Sequence, residues 1–358
     1  MVKNLIDQLY LTNNLSDKEI EKVLTNLTLE NRNYLFEKAY LTRYNFYKDN
    51  VFLRGLIEIS NFCKCSCKYC GIRIENKNIE RYRLTPEEIL STCEKGYNLG
   101  FRTFVLQGGE DSYYTDDILE KILRKIKELF PDVAITLSLG ERDYSSYNRL
   151  FSSGCDRYLL RHETADEEKY NEFHPNMSFE NRKNCLKNLK KIGFQTGAGF
   201  LVGLPHETIS DFVKNLRFLK ILNPEMVGIG PFLPQSSTPL KDEKPGDFNN
   251  VLVMLAFTRL LLPYVLLPAT TALITLDPKG REKAFKVGAN VIMPNLSPIL
   301  HRKKYALYDN KVFSGNESAE ELENIKNYIL ETGFYPHMGK GDNILWKQTS
   351  LITTISTT

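Results

Sequence analysis

The chain has no long apolar run, no surplus of charge and few cysteines, and each shortage closes off a class of protein. Its most apolar stretch, Leu260 to Ala269, is broken by Pro263 and Pro268. It falls far short of the roughly 20 residues a membrane helix needs. Met1 to Ile20 interleaves Lys3, Asp7, Asp17, Lys18 and Glu19 with apolar residues, so it lacks the apolar stretch and the small-residue cleavage site of a signal peptide. A cytoplasmic protein without membrane contact is expected. The 47 Lys and Arg against 44 Asp and Glu leave a formal net charge of +3. That balance gives no broad basic field to gather nucleic acid or acidic lipid, and it favours small or protein partners. Seven cysteines in 358 residues are too few to staple a secreted scaffold, and an odd number leaves one unpaired. Thiols used for chemistry in a reducing compartment are the better reading.

What is present is enough for a large core, since 42% of the residues are hydrophobic. From about Val51, short apolar runs alternate with helix-period segments, as in βα units and a parallel sheet. The strand-like runs are Leu53 to Ser60, Thr103 to Gln107, Ala134 to Leu139, Arg157 to Arg161, Gln195 to Val202, Met226 to Pro231, Leu267 to Ala272 and Asn290 to Met293. Roughly eight such runs predict a TIM-type (β/α)8 barrel over residues 50–300, with a six-stranded partial barrel as the alternative that periodicity leaves open. Thr85, Pro86 and Glu88 signal a helix start between the first two, and Ser178 to Ile192, His206 to Leu222 and Asp247 to Leu262 show helical spacing. Residues 1–49 are expected to form an N-terminal helical extension, with two helices between Ser16 and Tyr47. Residues 301–358 are expected to carry one helix, Ala319 to Thr332, and an end frayed from Gln348.

Barrel enzymes build their sites in the loops at the C-terminal ends of the strands. Directly after the first run come Cys63, Cys65, Cys67 and Cys70, of which positions 63, 67 and 70 form CxxxCxxC. Thiolates are the ligands of iron–sulfur clusters, and three close in sequence can wrap one cubane. Zinc is the rival. It wants four closed ligands, and Cys65 could be the fourth, but so compact a run gives poor tetrahedral geometry. Three thiolates on four irons leave one iron open, which implies a bound small molecule. Cys65 reads as a packing thiol in the loop, and Cys93, Cys155 and Cys185 as small core hydrophobes.

CxxxCxxC with the aromatic Tyr69 before its last cysteine, at the first strand end, resembles the radical S-adenosylmethionine (SAM) superfamily. The resemblance implies that SAM chelates the open iron, and that the reduced cluster cleaves SAM to methionine and a 5′-deoxyadenosyl radical. At the second strand end stand Gly108, Gly109 and Glu110. Two glycines admit close backbone approach, and a carboxylate accepts from an ammonium group. The trio matches the superfamily loop that holds the amino group of SAM. Arg161, Glu163 and Arg182 should converge on the barrel mouth, where they suit a ligand with both charges of an amino acid and ribose hydroxyls. A structural ion pair is the alternative. His162 should point the other way by strand alternation. Gly197, Gly199, Gly228 and Gly230 thin one wall, either for a flat adenine or for packing.

The likeness is closer than superfamily level. Tyr69-Cys70-Gly71-Ile72-Arg73, Ser138-Leu139-Gly140-Glu141, Arg161-His162-Glu163-Thr164, Pro268-Ala269-Thr270-Thr271-Ala272 and Gly288 to Asn295 resemble the E-type radical SAM maturase family of FeFe-hydrogenase, a relative of biotin synthase and methylornithine synthase. The resemblance implies cofactor contacts by Tyr69, Gly108, Gly109, Glu110, Ser138, Glu163 and Arg182. It implies a substrate cavity lined by Thr136, Arg157, Arg161 and Met226 and, later in the chain, by Thr270, Thr271, Tyr305 and Tyr308. The implied substrate is a cysteine-bearing iron carbonyl cyanide complex made by a companion maturase, and the implied reductant is a ferredoxin or flavodoxin. No cysteine follows Cys185, so one 4Fe-4S cluster is expected. The rivals are a sibling enzyme acting on an amino acid or small thioether, in the manner of methylornithine synthase or biotin synthase, and a non-catalytic iron–sulfur scaffold, which predicts no SAM cleavage.

Overall fold

A computed structural model describes residues 1–312 and 317–346, and the expected frayed end from Gln348 lies outside them. Six parallel strands, Gly55–Ser60, Thr103–Gly108, Ala134–Ser138, Arg157–Leu159, Gln195–Ala198 and Met226–Val227, stand side by side in chain order. Single parallel bridges continue the ring: Met226 with Leu266, Pro268 with Val291, and Asn295 with Leu56 of the first strand. Backbone hydrogen bonds from Val227 N to Leu266 O, Val291 N to Leu267 O and Leu56 N to Pro294 O carry the closure. The result is an eight-position barrel, thin over its last two positions, where proline removes a donor at residues 268 and 294. Strands buried on both faces by crossover helices read as continuous apolar runs. That is why Phe104, Val105 and Leu106 are consecutive and all buried.

Helices Pro86–Asn98, Asp116–Leu129, Tyr144–Ser152, Phe179–Ile192, Ile209–Leu222 and Phe248–Leu261 form the outer ring. The capping box is made at Thr85 and Glu88: Thr85 Oγ1 accepts from Glu88 N, and the Glu88 carboxylate accepts from Thr85 N at 2.7 Å. Among the described residues no helix is long and apolar enough to cross a membrane.

Some expectations need correction. Three helices precede the barrel, because Val2–Thr12 adds to Asp17–Thr25 and Leu29–Tyr47. The runs Gln195 to Val202 and Met226 to Pro231 each break after two to four residues and resume as the short pair Leu201–Val202 and Gly230–Pro231. The run Leu267 to Ala272 turns into a helix at Thr271, with Thr270 at its N-cap. The chain after residue 330 also does more than carry a helix. Tyr335–His337 adds as a parallel edge strand to Asn50–Leu53, with Pro336 tolerated because the strand is an edge. Residues 340–343 then tuck under the barrel. Lys340 O accepts from Thr103 Oγ1 and Arg157 Nη2, Gly341 O from Arg54 Nη2, and the Asp342 carboxylate from Arg157 and Gln195.

Candidate active site

The cysteine loop leaves the first strand at Ser60 and is pinned by Arg81, whose guanidinium donates to the carbonyls of Asn61, Ile72, Arg73 and Asn76. A single planar cation holding four carbonyls lets an irregular loop satisfy its own backbone. Cys63, Cys67 and Cys70 are partly exposed, while Cys65 is buried, as are Cys93, Cys155 and Cys185. The sulfur of Cys63 accepts two backbone N–H groups, from Cys65 and from Glu110, each at 3.4 Å. The Cys65 thiol donates to it as well, and together these donors hold the Cys63 thiol down at about 7 against the opposing effect of burial. Burial pushes Cys70 up to about 12 and raises Cys67. These two lose their protons on metal coordination rather than in water. Among the described residues no three His, Cys, Asp or Glu side chains converge on one ion.

The second strand end folds onto this loop. Gly109 stands so close that a Cβ there would lie 2.2 Å from Phe62 O and 2.6 Å from Cys63 Cβ. Lys64 N donates to Glu110 O, and the Glu110 carboxylate accepts from Glu141 N at 3.0 Å and faces Lys64 Nζ at 3.4 Å. Gly108 ends its strand, and Ser138 ends the next one, paired with Gln107. Glu163 adopts φ 64° and is buried, and Arg161 Nε donates to its Oε1 at 3.1 Å. The other oxygen, Oε2, has no hydrogen-bond partner among the described residues. Arg182 donates through Nε to Glu141 at 2.6 Å and through Nη1 to Arg161 O, so Glu163, Arg161 and Arg182 share one corner of the mouth. His162 points away from it, bound to Asn215 and to Gly199 N.

The Radical SAM superfamily pattern matches residues 57–219, which hold all of these groups. The chain is 50% identical to the FeFe hydrogenase maturase subunit HydE of Thermotoga maritima over 278 residues, 78% of this chain and 79% of that one. The chain belongs to the HydE family of radical SAM enzymes. It is also 31% identical to 3-methylornithine synthase of Methanosarcina acetivorans, over 90% of each chain. The solved structure of methylornithine synthase, PylB, superposes with a TM-score of 0.81 at 27% identity, covering 93% of this chain and 97% of that one. HydG, a maturase of the FeFe-hydrogenase, shares the fold with a TM-score of 0.80 at 18% identity, over 94% and 76%.

Below the mouth the HydE-family chain keeps polar groups inside its barrel. Thr136 and Thr270 are placed with hydroxyls that have no partner among the described residues. The Thr271 hydroxyl donates to Glu317, itself paired with Arg281. Arg157 gives its terminal nitrogens to Asp342, Lys340 O and Thr103, leaving only Nε without a partner among the described residues. Met226 accepts from Arg54 at 3.2 Å. The buried Tyr305 hydroxyl accepts from Gln107 at 3.3 Å, and burial raises the phenol of Tyr308, which meets the Thr275 hydroxyl. Sequence reasoning missed Glu58, whose carboxylate, fully enclosed, pairs with Lys311 at 2.5 Å and accepts from Asn295 at 2.9 Å. It also missed Glu141, the anchor of Arg182, although Glu141 stands in a quoted motif.

Proposed function

We propose that Cys63, Cys67 and Cys70 hold a 4Fe-4S cluster whose open iron takes SAM, and that the barrel beneath acts on a cysteine-bearing iron carbonyl cyanide precursor in assembling the two-iron subcluster of FeFe-hydrogenase. When bound, the cluster supplies the electron that cleaves SAM to methionine and a 5′-deoxyadenosyl radical. The chain's own residues bind, orient and enclose. The Glu110 carboxylate accepts from the amino group of SAM, and Arg182, fixed by Glu141, meets its carboxylate. Glu163 keeps one oxygen for the ribose. Thr136, Thr270 and the Nε of Arg157 offer donors to a small anionic ligand inside a barrel that keeps water from a radical.

The observation that carries this reading is the set of buried polar atoms without a hydrogen-bond partner among the described residues on strand-end and strand residues of the barrel: Glu163 Oε2, Thr136 Oγ1, Arg157 Nε and Thr270 Oγ1. Each such group costs about 1–3 kcal/mol when nothing bonds it. A polar ligand that bonds them would recover that cost. The name of the HydE relative, a maturase subunit of FeFe hydrogenase, supports the maturation role; the substrate class and the companion maturase are what the family resemblance implies. The reductant in this reading is a ferredoxin or flavodoxin.

Anaerobic reconstitution with iron and sulfide, reduction by dithionite and assay for 5′-deoxyadenosine tests the chemistry. Full cluster loading with no 5′-deoxyadenosine would overturn it. Deletion of the protein should leave the host's FeFe-hydrogenase inactive, and normal hydrogenase activity would instead favour a sibling enzyme related to methylornithine synthase, which the 31% identity over 90% of the chain keeps in view.

A further inference from the structure

One buried hydroxyl beside the mouth has no hydrogen-bond partner among the described residues. Tyr170 lies in helix Glu167–Phe173, its residue is 0% exposed, and its Oη has no hydrogen-bond partner among the described residues. The Arg182 guanidinium sits 5.8 Å from the ring centroid. Arg182, Glu141, Glu163 and Cys67 all act electrostatically on the phenol. The Tyr170 ring therefore stands beside Arg182, one of the groups that would surround SAM.

Its ring is held in place. His174 stacks on it with centroids 4.2 Å apart and planes 19° from parallel. The Nδ1 of His174 faces Tyr170 O at 2.8 Å. A carbonyl only accepts, so Nδ1 carries the proton and Nε2 is left bare to accept from the Tyr69 hydroxyl at 2.7 Å. A backbone hydrogen bond from Lys68 N to Phe173 O runs alongside. Tyr69, His174 and Tyr170 thus form a rigid link from the cysteine loop to the helix. The Tyr69 hydroxyl is used within the link, and the Tyr170 hydroxyl is not.

Resting on the proposed SAM site, we infer that the Tyr170 hydroxyl is a further SAM-binding group, donating to a SAM oxygen between Arg182 and Glu163, and that His174 is the residue that positions it. The two unsatisfied atoms are complementary: Glu163 Oε2 accepts and Tyr170 Oη donates. SAM offers hydroxyls for the first and oxygens for the second. An unmet donor in a dry site is costly before the ligand arrives and rewarding afterwards.

Tyr170→Phe removes the hydroxyl and keeps the ring. In the reconstituted holoenzyme we expect full iron loading and a SAM Kd raised about tenfold, the scale of one lost hydrogen bond to a charged or buried partner. The EPR change that SAM produces in the reduced cluster should be altered. The melting temperature without SAM should hold or rise, since no protein hydrogen bond is lost. A wild-type Kd and EPR response in the loaded variant would overturn the inference, and more so if the melting temperature fell, because that pattern belongs to a packing hydroxyl. His174→Phe should weaken SAM binding in the same way and His174→Gln, which can still accept from Tyr69, should restore it. Equal binding by both variants would remove His174 from its role. Failure of the wild-type holoenzyme to bind SAM at all would strike the proposed site and not this residue.

Discussion

The backbone N–H of Glu110 donates to the sulfur of Cys63 at 3.4 Å. One residue of the second strand end thus offers its amide to a cluster ligand and its carboxylate to the site where the SAM amino group is proposed to lie. The same short loop holds the Cys63 sulfur and carries the carboxylate of the proposed SAM site, so a shift in one would move the other.

The three-cysteine assignment separates cleanly by variant. Cys67→Ser should lose the cluster, measured as iron and sulfide per chain and as the visible charge-transfer band. Cys65→Ser should keep it, because that thiol is buried and donates to Cys63, a role a serine hydroxyl can fill. Cluster loss on Cys65→Ser would make it a ligand.

Gly140→Ala should weaken SAM binding with the cluster intact. A Cβ at residue 140 would lie 1.9 Å from Glu110 Cγ, and the residue has φ +79°. Strain of about 1–3 kcal/mol and a displaced Glu110 carboxylate are expected. Titration of the loaded variant with SAM checks this, and an unchanged Kd would count against Glu110 as the amino-group acceptor.

Asp342→Asn should destabilise the fold by about 3–5 kcal/mol, the scale for stranding one member of a buried ion pair. Arg157 is fully enclosed and pairs with Asp342 at 2.6 Å. Urea midpoints at neutral pH measure the loss. A change below about 1 kcal/mol would show that the Lys340 carbonyl and the Thr103 hydroxyl suffice for Arg157.

Stability should fall as pH drops from about 6.5 toward 3. Burial lowers His162 and His174 to about 3, beneath the roughly 6.5 of an unfolded histidine. Between those values the unfolded chain binds more protons, so the stability these neutral rings contribute is present above about 6.5 and is lost as pH falls. His162→Gln should remove about one proton from the slope of urea stability against pH. An unchanged slope would place the acid sensitivity elsewhere.

Much of this was legible because it is local. CxxxCxxC carries its expected chemistry in its spacing, the GGE loop takes its reading from the family resemblance, and Thr85 with Glu88 predicts its own capping box. The strand positions show as apolar runs because parallel strands are buried on both faces. What escaped is long-range. Glu58 and Lys311 pair across 253 residues, and Arg157 and Asp342 across 185. No periodicity links such partners, and the arm that brings Asp342 in carries Pro336 in a three-residue strand. His174 escaped for another reason: it lies 105 residues from Tyr69 and looks like any histidine at a helix end. Thr271 was legible as part of a motif, but its hydroxyl is taken by Glu317, which only the folded chain reveals.

Residues 340–343 give the barrel a stopper. Their carbonyls and the Asp342 carboxylate bond Arg54, Thr103, Arg157 and Gln195 at the end of the strands opposite the cysteine loop. With that end occupied by the chain itself, the proposed ligand beside Thr136 and Arg157 would lie beneath the proposed SAM site, and loading of the barrel before SAM is the expected order.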